Sequence, residues 1–161
     1  YLRISRPLKV IIFILAYFIL LVISGINAPK PEQQYEYYSL GQPFNLTFGN
    51  NIFSMKITNI SKETQISVNN GQNVSSSGFY LFVNGEATNL GKATSDLQFK
   101  SELKDSEDNL YTLFATDTRV GEFQPNLEKK FYNVFEVPRQ AAGLKFFVKD
   151  KTKVIKVVSL E

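Results

Sequence analysis

A run of nineteen residues without a charge, at positions 10–28, constrains this chain more than any other feature of its sequence. Most of these residues are Ile, Leu, Phe or Val. At about 1.5 Å per residue, a helix of this length crosses a hydrocarbon core of roughly 30 Å. The run therefore predicts one transmembrane helix, and the chain that follows it must lie on one side of a membrane.

The charges before the run predict its orientation. Arg3, Arg6 and Lys9 precede it without an acidic residue, and basic residues beside a span are retained in the cytoplasm. We expect residues 1–9 to be a cytoplasmic flank in the cell membrane or an internal bacterial membrane, and the C-terminal domain to be extracytoplasmic. A cleaved signal peptide is the alternative, but its apolar region runs about 7 to 15 residues and ends in small residues, which fits less well.

The composition excludes several classes of function. The chain has 18 basic and 15 acidic residues, and the three basic residues before the run account for the difference. The domain after the run is thus neutral, which gives no support for nucleic-acid binding. There is no Cys and no His, which removes disulfides, thiolate metal sites and the common catalytic triads. We expect no cofactor, no metal and no enzymatic activity.

Three residues of the predicted helix are candidate contacts with other membrane subunits. The hydroxyl group of Tyr17 lies at mid-depth, where it needs a hydrogen-bond partner on a neighbouring helix or, alternatively, on the backbone of its own helix. Ser24 and Gly25 lie near the outer end, where small side chains allow two helices to approach closely.

The segment 29–39 is predicted to be a linker. Pro29 and Pro31 favour an extended conformation at its start. Three tyrosines at its end allow two interpretations. One interpretation places Tyr35, Tyr37 and Tyr38 in the interfacial aromatic belt of the membrane. The other places them at the start of the first strand, and we favour it because they are several residues from the span.

From residue 40 onward, apolar and polar residues alternate in short runs separated by turn residues, which is typical of β-strands. No segment has the periodicity of an amphipathic helix. The pattern predicts one all-β domain, a β-sandwich, over residues 40–161. Strands are predicted at 44–48, 52–60, 79–88, 97–103, 110–114, 131–137, 144–149 and 154–160, with long loops at 62–77 and 116–130.

Three segments of this domain resemble a known family. They read GFYLFVNGEATNLGK (78–92), LKDSEDNLY (103–111) and FYNVFEVPRQAAGLKFFV (131–148). They resemble a bacterial immunoglobulin-like domain-of-unknown-function family found in exported and membrane-anchored proteins, similar in fold to the mycobacterial immunoprotective extracellular protein.

The resemblance rests on short motifs. In the first motif a strand ends in Asn before a Gly-containing turn, here Asn89 to Gly91. In the second an Asp-Ser segment ends in Tyr, here Asp105, Ser106 and Tyr111. In the third a closing strand ends in Phe-x-Val-Pro, here Phe135, Val137 and Pro138. The chain departs from the family at Pro125-Asn126, where Pro-Gly is usual. The resemblance implies an immunoglobulin-like sandwich and an extracytoplasmic location, and it supplies no catalytic residues.

Two groups of charged residues have alternative interpretations. Asp105, Glu107, Asp108 and Asn109 offer oxygen ligands for Ca²⁺, but they lack the spacing of a calcium loop, so a solvated hairpin turn is favoured. One interpretation of the C-terminal lysines is that they face anionic lipid or an acidic partner. The other, which we favour, is that they protect a sheet edge from pairing with another strand. These are Lys145, Lys149, Lys151, Lys153 and Lys156.

The sequence predicts a non-catalytic accessory or assembly subunit of a membrane protein complex. Its partners would be the lipid bilayer and integral membrane protein subunits, with no nucleic acid. The alternative is a tethered extracytoplasmic module that binds a small molecule, a glycan or a surface polymer between the loops at 62–77 and 116–130.

Overall fold

The computed structural model describes residues 15, 17, 19, 32–68, 71–97, 99–116, 122–149 and 154–161. The chain divides into two units, Tyr1–Glu32 and Gln33–Glu161. In the first unit, Leu15, Tyr17 and Ile19 are helical, and each side chain is more than half exposed. Among the residues described, no helix has the length and apolar character needed to cross a membrane. The span predicted at 10–28 otherwise lies outside those residues and stays a prediction.

The second unit is built of β-strands. In chain order they are β1 (Gln34–Tyr38), β2 (Pro43–Phe48), β3 (Asn51–Val68), β4 (Gln72–Asn89), β5 (Ser95–Asp96), β6 (Lys100–Lys104), β7 (Leu110–Tyr111), β8 (Leu113–Thr116), β9 (Glu122–Phe123), β10 (Glu128–Val137), β11 (Lys145–Lys149) and β12 (Val154–Ser159). The predicted all-β class is confirmed for this unit.

The strands form a sandwich of two five-stranded sheets. The first sheet has the order β1-β12-β11-β6-β7 and the second the order β2-β3-β4-β10-β8, while β5 and β9 form a separate pair. Strand β1 pairs with β12 in parallel, and the other neighbours pair in antiparallel fashion. The chain passes from the first sheet to the second between β1 and β2, and again at Thr112 between β7 and β8.

The core lies between the two sheets and follows from the alternation of the strands. Phe44, Leu46 and Phe48 of β2 are buried while the residues between them are exposed, as the period of two requires. Phe135 of β10 and Phe146 of β11 meet across the sandwich edge to face, with ring centroids 6.1 Å apart. Both rings are fully buried, so they join the two sheets.

Two boundaries differ from the sequence prediction. The linker predicted at 29–39 includes β1, because Gln34 to Tyr38 pair in register with Val154 to Val158. The ring of Tyr38 packs 5.0 Å from that of Phe44, which fixes this strand to the core. The three tyrosines therefore belong to the first strand of the domain, as the strand interpretation of these residues predicts.

The prediction of a loop at 62–77 is wrong, because β3 and β4 continue through this segment as a hairpin. Residues 69–71 read Asn-Asn-Gly, and Asn-Gly between alternating residues is a strong hairpin signal. Gly71 has φ +72°, the left-handed conformation that such a turn requires. The departure from the family at Asn126 is explained in the same terms, since Asn126 has φ +60° and asparagine tolerates that region.

Candidate interaction surfaces

The outer half of the β3–β4 hairpin projects from the sandwich, and we call residues 64–77 the arm. Gln65, Ile66, Ser67 and Val68 pair with Ser75, Val74, Asn73 and Gln72. Pairing of β4 with β10 begins only at Phe79, and pairing of β3 with β2 ends at Lys56. Within the described part of the chain, the arm therefore pairs with itself alone. An isolated two-stranded hairpin is marginally stable in water, so an arm of this kind gains from a partner.

One side of the arm carries three apolar side chains together with Gln72, and the other side is polar. Ile66 and Val74 are directly paired, and Val68 follows Ile66 on the same side. These three side chains are partly buried, whereas Gln65, Ser67 and Asn73 on the opposite side are exposed. The arm thus presents a short apolar stripe without a charge.

The arm begins where β4 comes very close to the end of β10. A side chain at Gly78 would place its Cβ 2.0 Å from the carbonyl oxygen of Val137, so only glycine fits. The hydroxyl group of Ser76 donates to the carboxylate of Glu136 at 2.7 Å and accepts from the backbone N–H of Gly78 at 3.0 Å. These contacts fix the direction in which the arm leaves the sheet.

The outer side of the second sheet carries a row of aromatic residues, which we call the aromatic face. Tyr80 lies 5.1 Å from Phe114 and Phe82 lies 6.2 Å from Tyr132, measured between ring centroids. Tyr80 is buried, and its burial raises the pKa of its hydroxyl group.

A groove of about 620 Å³ lies between the base of the arm and the edge strands β7 and β8. Its lining includes Ser76 and Glu136 on one side and Leu113 and Phe114 on the other. Leu113 and Phe114 are exposed. The pocket predicted between 62–77 and 116–130 differs from this groove, which uses the first of those segments but is lined by no described residue from 117–130.

The outer side of the first sheet has a different character, and we call it the lysine face. On β11, Phe146 and Val148 are buried in the core, while Lys145, Phe147 and Lys149 point the other way. The amino group of Lys104 lies 5.5 Å from the ring centroid of Phe147 on this face. The face includes Tyr35, Tyr37, Lys100, Glu102, Lys104, Lys145, Phe147 and Lys149, and the register places Ile155, Val157 and Ser159 of β12 between the tyrosines and the lysines.

The lysines do not protect a sheet edge, so that interpretation is wrong for those in described strands. Lys145 and Lys149 lie on β11, which is the central strand of the first sheet. Lys156 lies on β12 and points towards the sandwich, where it is buried and pairs with Glu36 of β1. Lys151 and Lys153 are outside the described residues.

The pair of Glu36 and Lys156 holds β1 against β12. The carboxylate of Glu36 also accepts a hydrogen bond from the hydroxyl group of Tyr38. The hydrogen bond from Lys156, followed by that from Tyr38, lowers the pKa of Glu36. Burial and the carboxylate of Glu36 raise the pKa of Tyr38 to about 12. These contacts fix a strand that carries the two exposed tyrosines of the lysine face.

The acidic segment after β6 is a hydrogen-bonded turn. The carboxylate of Asp105 accepts hydrogen bonds from the backbone N–H groups of Glu107 and Asn109, the amide of Asn109 and the hydroxyl group of Tyr111. Tyr111, then Asn109, lowers the pKa of Asp105 to about 2. The oxygens of Asp105 are therefore used within the turn, and the residues described contain no cluster of three or more acidic side chains that could hold a metal.

Asn89, the first residue of the resemblance motifs, also has a structural role. Its side-chain amide donates to the carbonyl oxygens of Ala93 and Phe123 at 2.8 Å and 3.0 Å, and its oxygen accepts from the N–H of Gly91 at 2.8 Å. The residue is fully buried. These bonds close the turn after β4 and attach it to β9.

The described residues include only one of the three candidate membrane contacts, Tyr17, Ser24 and Gly25. Tyr17 is helical and 63% exposed. Ser24 and Gly25 lie outside the described residues. Their proposed contact with partner subunits stays a prediction.

Sequence reasoning missed the arm and the aromatic face. The Asn-Gly turn and the alternation of Ile66 and Val68 are the signals for the arm, but Ser and Asn residues around them are equally typical of a loop. The aromatic face had no usable signal, because Phe79 and Phe82 both fit a core strand and only the register separates them.

Three solved structures are similar to this chain. An uncharacterized β-sandwich protein from Clostridium difficile 630 has a TM-score of 0.56 at 13% identity, covering 83% of this chain and all of that one. The secreted protein MPT63 from Mycobacterium tuberculosis has a TM-score of 0.55 at 9% identity, covering 82% and 99%. A conserved hypothetical protein from Bacillus anthracis has a TM-score of 0.51 at 15% identity, covering 70% and 88%.

At these identities the similarity supports the β-sandwich fold alone. No protein-family model matches the chain. No curated protein matches it either.

Proposed function

We propose that this chain is a non-catalytic accessory or assembly subunit of a membrane protein complex. A single helix at 10–28 would anchor it, with residues 1–9 in the cytoplasm and an extracytoplasmic immunoglobulin-like sandwich. The sandwich would contact partner subunits through the arm and the aromatic face. The resemblance to an anchored immunoglobulin-like family supports this architecture.

The arm is the observation that carries the proposal. Its two strands pair only with each other among the described residues, and they project beyond the sheets that would otherwise support them. Ile66, Val68 and Val74 would bury their apolar stripe on a partner. Since an anchored domain is confined near the membrane, a modest interface is occupied at a high effective concentration.

The aromatic face supports the same role. Exposed Phe114 and Tyr132 add aromatic surface on the outer side of the second sheet. Aromatic side chains of this kind are enriched where protein surfaces meet. The groove beside Phe114 would receive a side chain of the partner.

Site-specific photo-crosslinking in the native membrane tests this proposal. A photoreactive residue replaces Ile66 or Val74 in separate variants, and the complex is isolated in mild detergent through a tag after Glu161. We expect both variants to crosslink to the same protein at near-stoichiometric yield. A crosslinker at Asn45, on the exposed side of β2, is the control and should capture much less.

A shortened arm provides the second measurement. Replacing residues 65–75 by Asn-Gly removes the arm and leaves the paired core of the sandwich in place. We expect the melting temperature to be nearly unchanged and the partner to be lost from the purified complex. If the shortened protein retains the partner, or if the intact chain purifies alone under gentle extraction, the proposal is wrong.

A tethered binding module is the second candidate, and the groove of about 620 Å³ favours it. Leu113 and Phe114 would contact the apolar side of a small molecule, a sugar or a polymer unit, and Glu136 would accept a hydrogen bond. Saturation-transfer NMR with a panel of glycan fragments tests this role. Binding that disappears in Phe114→Ala would support it, and absence of binding across the panel would remove it.

A further inference from the structure

The lysine face contains an arrangement that is unfavourable for the domain alone. In the register of β11 with β6, Lys145 lies opposite Lys104 and Lys149 lies opposite Lys100. Like charges directly opposite each other on neighbouring strands destabilise a sheet. Two such pairs on one side of one sheet therefore favour an anionic surface that neutralises them.

The charges within the face are only partly compensated. Glu102, between the two pairs, forms a salt bridge with Lys149. Lys104 lies 3.9 Å from the exposed carboxylate of Asp108. Among the described residues, Lys100 and Lys145 have no ion-pair partner. The face carries four lysines and one glutamate on the neighbouring strands β6 and β11, about 4.8 Å apart, and so has a net positive charge.

The same face carries aromatic residues suited to a membrane surface. Tyr35 and Tyr37 of β1 point away from the core, on the side opposite to Tyr38, and are 46% and 69% exposed. Tyrosine has an apolar ring and a polar hydroxyl group, and it is enriched at the boundary between hydrocarbon and water. Tyrosines beside lysines on one surface match a bilayer with anionic headgroups.

The chain length restricts where this face can lie. Six residues, 29–34, lie between the predicted end of the span at residue 28 and Tyr35, which makes seven Cα–Cα steps. At no more than about 3.6 Å per residue, Tyr35 lies within roughly 25 Å of the membrane. We propose that the lysine face docks the domain on the anionic lipid headgroups of its own membrane. This inference rests on the anchor in the proposed function, but not on the arm.

The consequence for the complex is an orientation. A sandwich that rests on lipid through its first sheet directs its second sheet, with the aromatic face, away from the bilayer. The protein partner and the membrane would therefore contact opposite sides of the domain. An acidic protein on the lysine face is the competing occupant, and the experiment separates the two.

The absence of tryptophan from the chain allows single-tryptophan reporters. Tyr37→Trp places one on the lysine face, and Tyr132→Trp places a control on the opposite sheet. Each full-length variant is reconstituted in nanodiscs that contain lipids with a nitroxide on the headgroup. The discs are either neutral phosphatidylcholine or a mixture with about one third phosphatidylglycerol.

We expect fluorescence at position 37 to be quenched at least threefold more in anionic than in neutral discs, and position 132 to respond to neither. Changing Lys100 and Lys145 to Gln should abolish the difference, because each lysine contributes roughly fivefold in affinity for anionic lipid. The matched control changes Lys56 and Lys130, on the second sheet, to Gln and should retain it. Raising the salt concentration should release the face.

The outcomes distinguish this inference from the anchor. If the chain fails to co-elute with neutral discs, the anchor is wrong; quenching at position 37 in anionic discs would still support docking. If position 37 is no more quenched in anionic than in neutral discs, or if position 132 is quenched equally, docking is wrong. If the native membrane yields a protein crosslink at position 37 that the Lys100 and Lys145 changes remove, an acidic protein replaces lipid as the occupant.

Discussion

The outer sides of the two sheets differ in charge although their inner sides are alike. On the described strands, the first sheet presents four lysines and one glutamate, together with two exposed tyrosines. The second sheet presents two lysines and four glutamates around its aromatic row. These are Lys56, Lys130, Glu63, Glu86, Glu128 and Glu136.

The difference shows how a sandwich separates stability from recognition. The alternation of each strand directs every second residue into a shared core, so the inner positions are constrained by packing. The outer positions carry no such constraint and can diverge between sheets. One fold can therefore present a lipid-binding surface and a protein-binding surface at the same time.

Both faces depend on the core that joins them, and Phe146→Ala tests this most strongly. The ring is fully buried and contacts Phe135 of the opposite sheet. Removing a buried phenylalanine ring costs about 3–5 kcal/mol. Urea unfolding followed by circular dichroism should show this loss, and crosslinking through the arm should fall with it.

The neighbouring residue is the matched control. Phe147 follows Phe146 on the same strand but points to the lysine face. We expect Phe147→Ala to lower the free energy of unfolding by about 1 kcal/mol. Equal losses from the two changes would contradict the division of β11 into an inner and an outer side.

Two buried asparagines sharpen the comparison inside the second sheet. The side-chain nitrogen and oxygen of Asn89 both form hydrogen bonds. The Nδ2 atom of Asn133, in contrast, has no hydrogen-bond partner among the described residues. Asn89→Leu leaves buried groups unpaired and should cost about 2–4 kcal/mol. Asn133→Leu should change the free energy by less than about 1 kcal/mol, because it also removes an unsatisfied group.

Urea unfolding of the two leucine variants measures both changes. Within the described part of the chain, the side chain of Asn133 has one hydrogen bond to lose, which its oxygen accepts from the hydroxyl group of Thr116 at 2.7 Å. That hydroxyl group can still donate to the carbonyl oxygen of Tyr132. A large loss in Asn133→Leu, equal to that in Asn89→Leu, would indicate that its amide is satisfied.

The strands with strong alternation were predictable from the sequence. In β2 and the first half of β3, buried Phe, Leu, Met and Ile recur at every second position, and the predicted strands agree with the structure. The arm was not predictable in this way, since only Ile66, Val68 and Val74 alternate among many Ser and Asn residues. The predicted roles of Tyr17, Ser24 and Gly25 stay untested predictions.

The lysine face could not be read from the sequence because it depends on strand order. β11 is an interior strand because it pairs with β12 on one side and, on the other, with β6, which lies about 41 to 49 positions earlier in the sequence. Nothing local to residues 145–149 specifies that neighbour. The lysines of β11 therefore look like protection of an edge until the pairing of β11 with β6 is known.

The turn between β6 and β7 makes stability depend on pH. Asp105 has a pKa of about 2 in the folded protein, lowered from its usual 3.8 by the hydroxyl group of Tyr111 and then by Asn109. Because the folded pKa is the lower one, its contribution to stability is present above about pH 4 and is lost as the pH falls towards 2. We expect the melting temperature to fall over this interval.

Asp105→Asn should have a lower melting temperature at pH 7, and its further decrease between pH 4 and pH 2 should be smaller than that of the wild type. Asp108→Asn is the control, since Asp108 is in the same turn but its side chain is 87% exposed. A profile for Asp105→Asn parallel to that of the wild type would assign the acid sensitivity to other carboxyl groups.

The smallest predicted effect concerns β1, which carries the tyrosines of the lysine face. Glu36→Gln leaves the buried amino group of Lys156 without its carboxylate. Partly exposed ion pairs contribute up to about 1 kcal/mol, so amide exchange in the peptide 33–39 should accelerate roughly threefold to fivefold. Exchange in β8, the edge strand of the other sheet, should not change.

Combining Glu36→Leu with Lys156→Met removes both charges and should restore slow exchange, because apolar side chains of similar size often replace an ion pair without loss. If Glu36→Gln exchanges as slowly as the wild type, backbone pairing with β12 alone holds the strand.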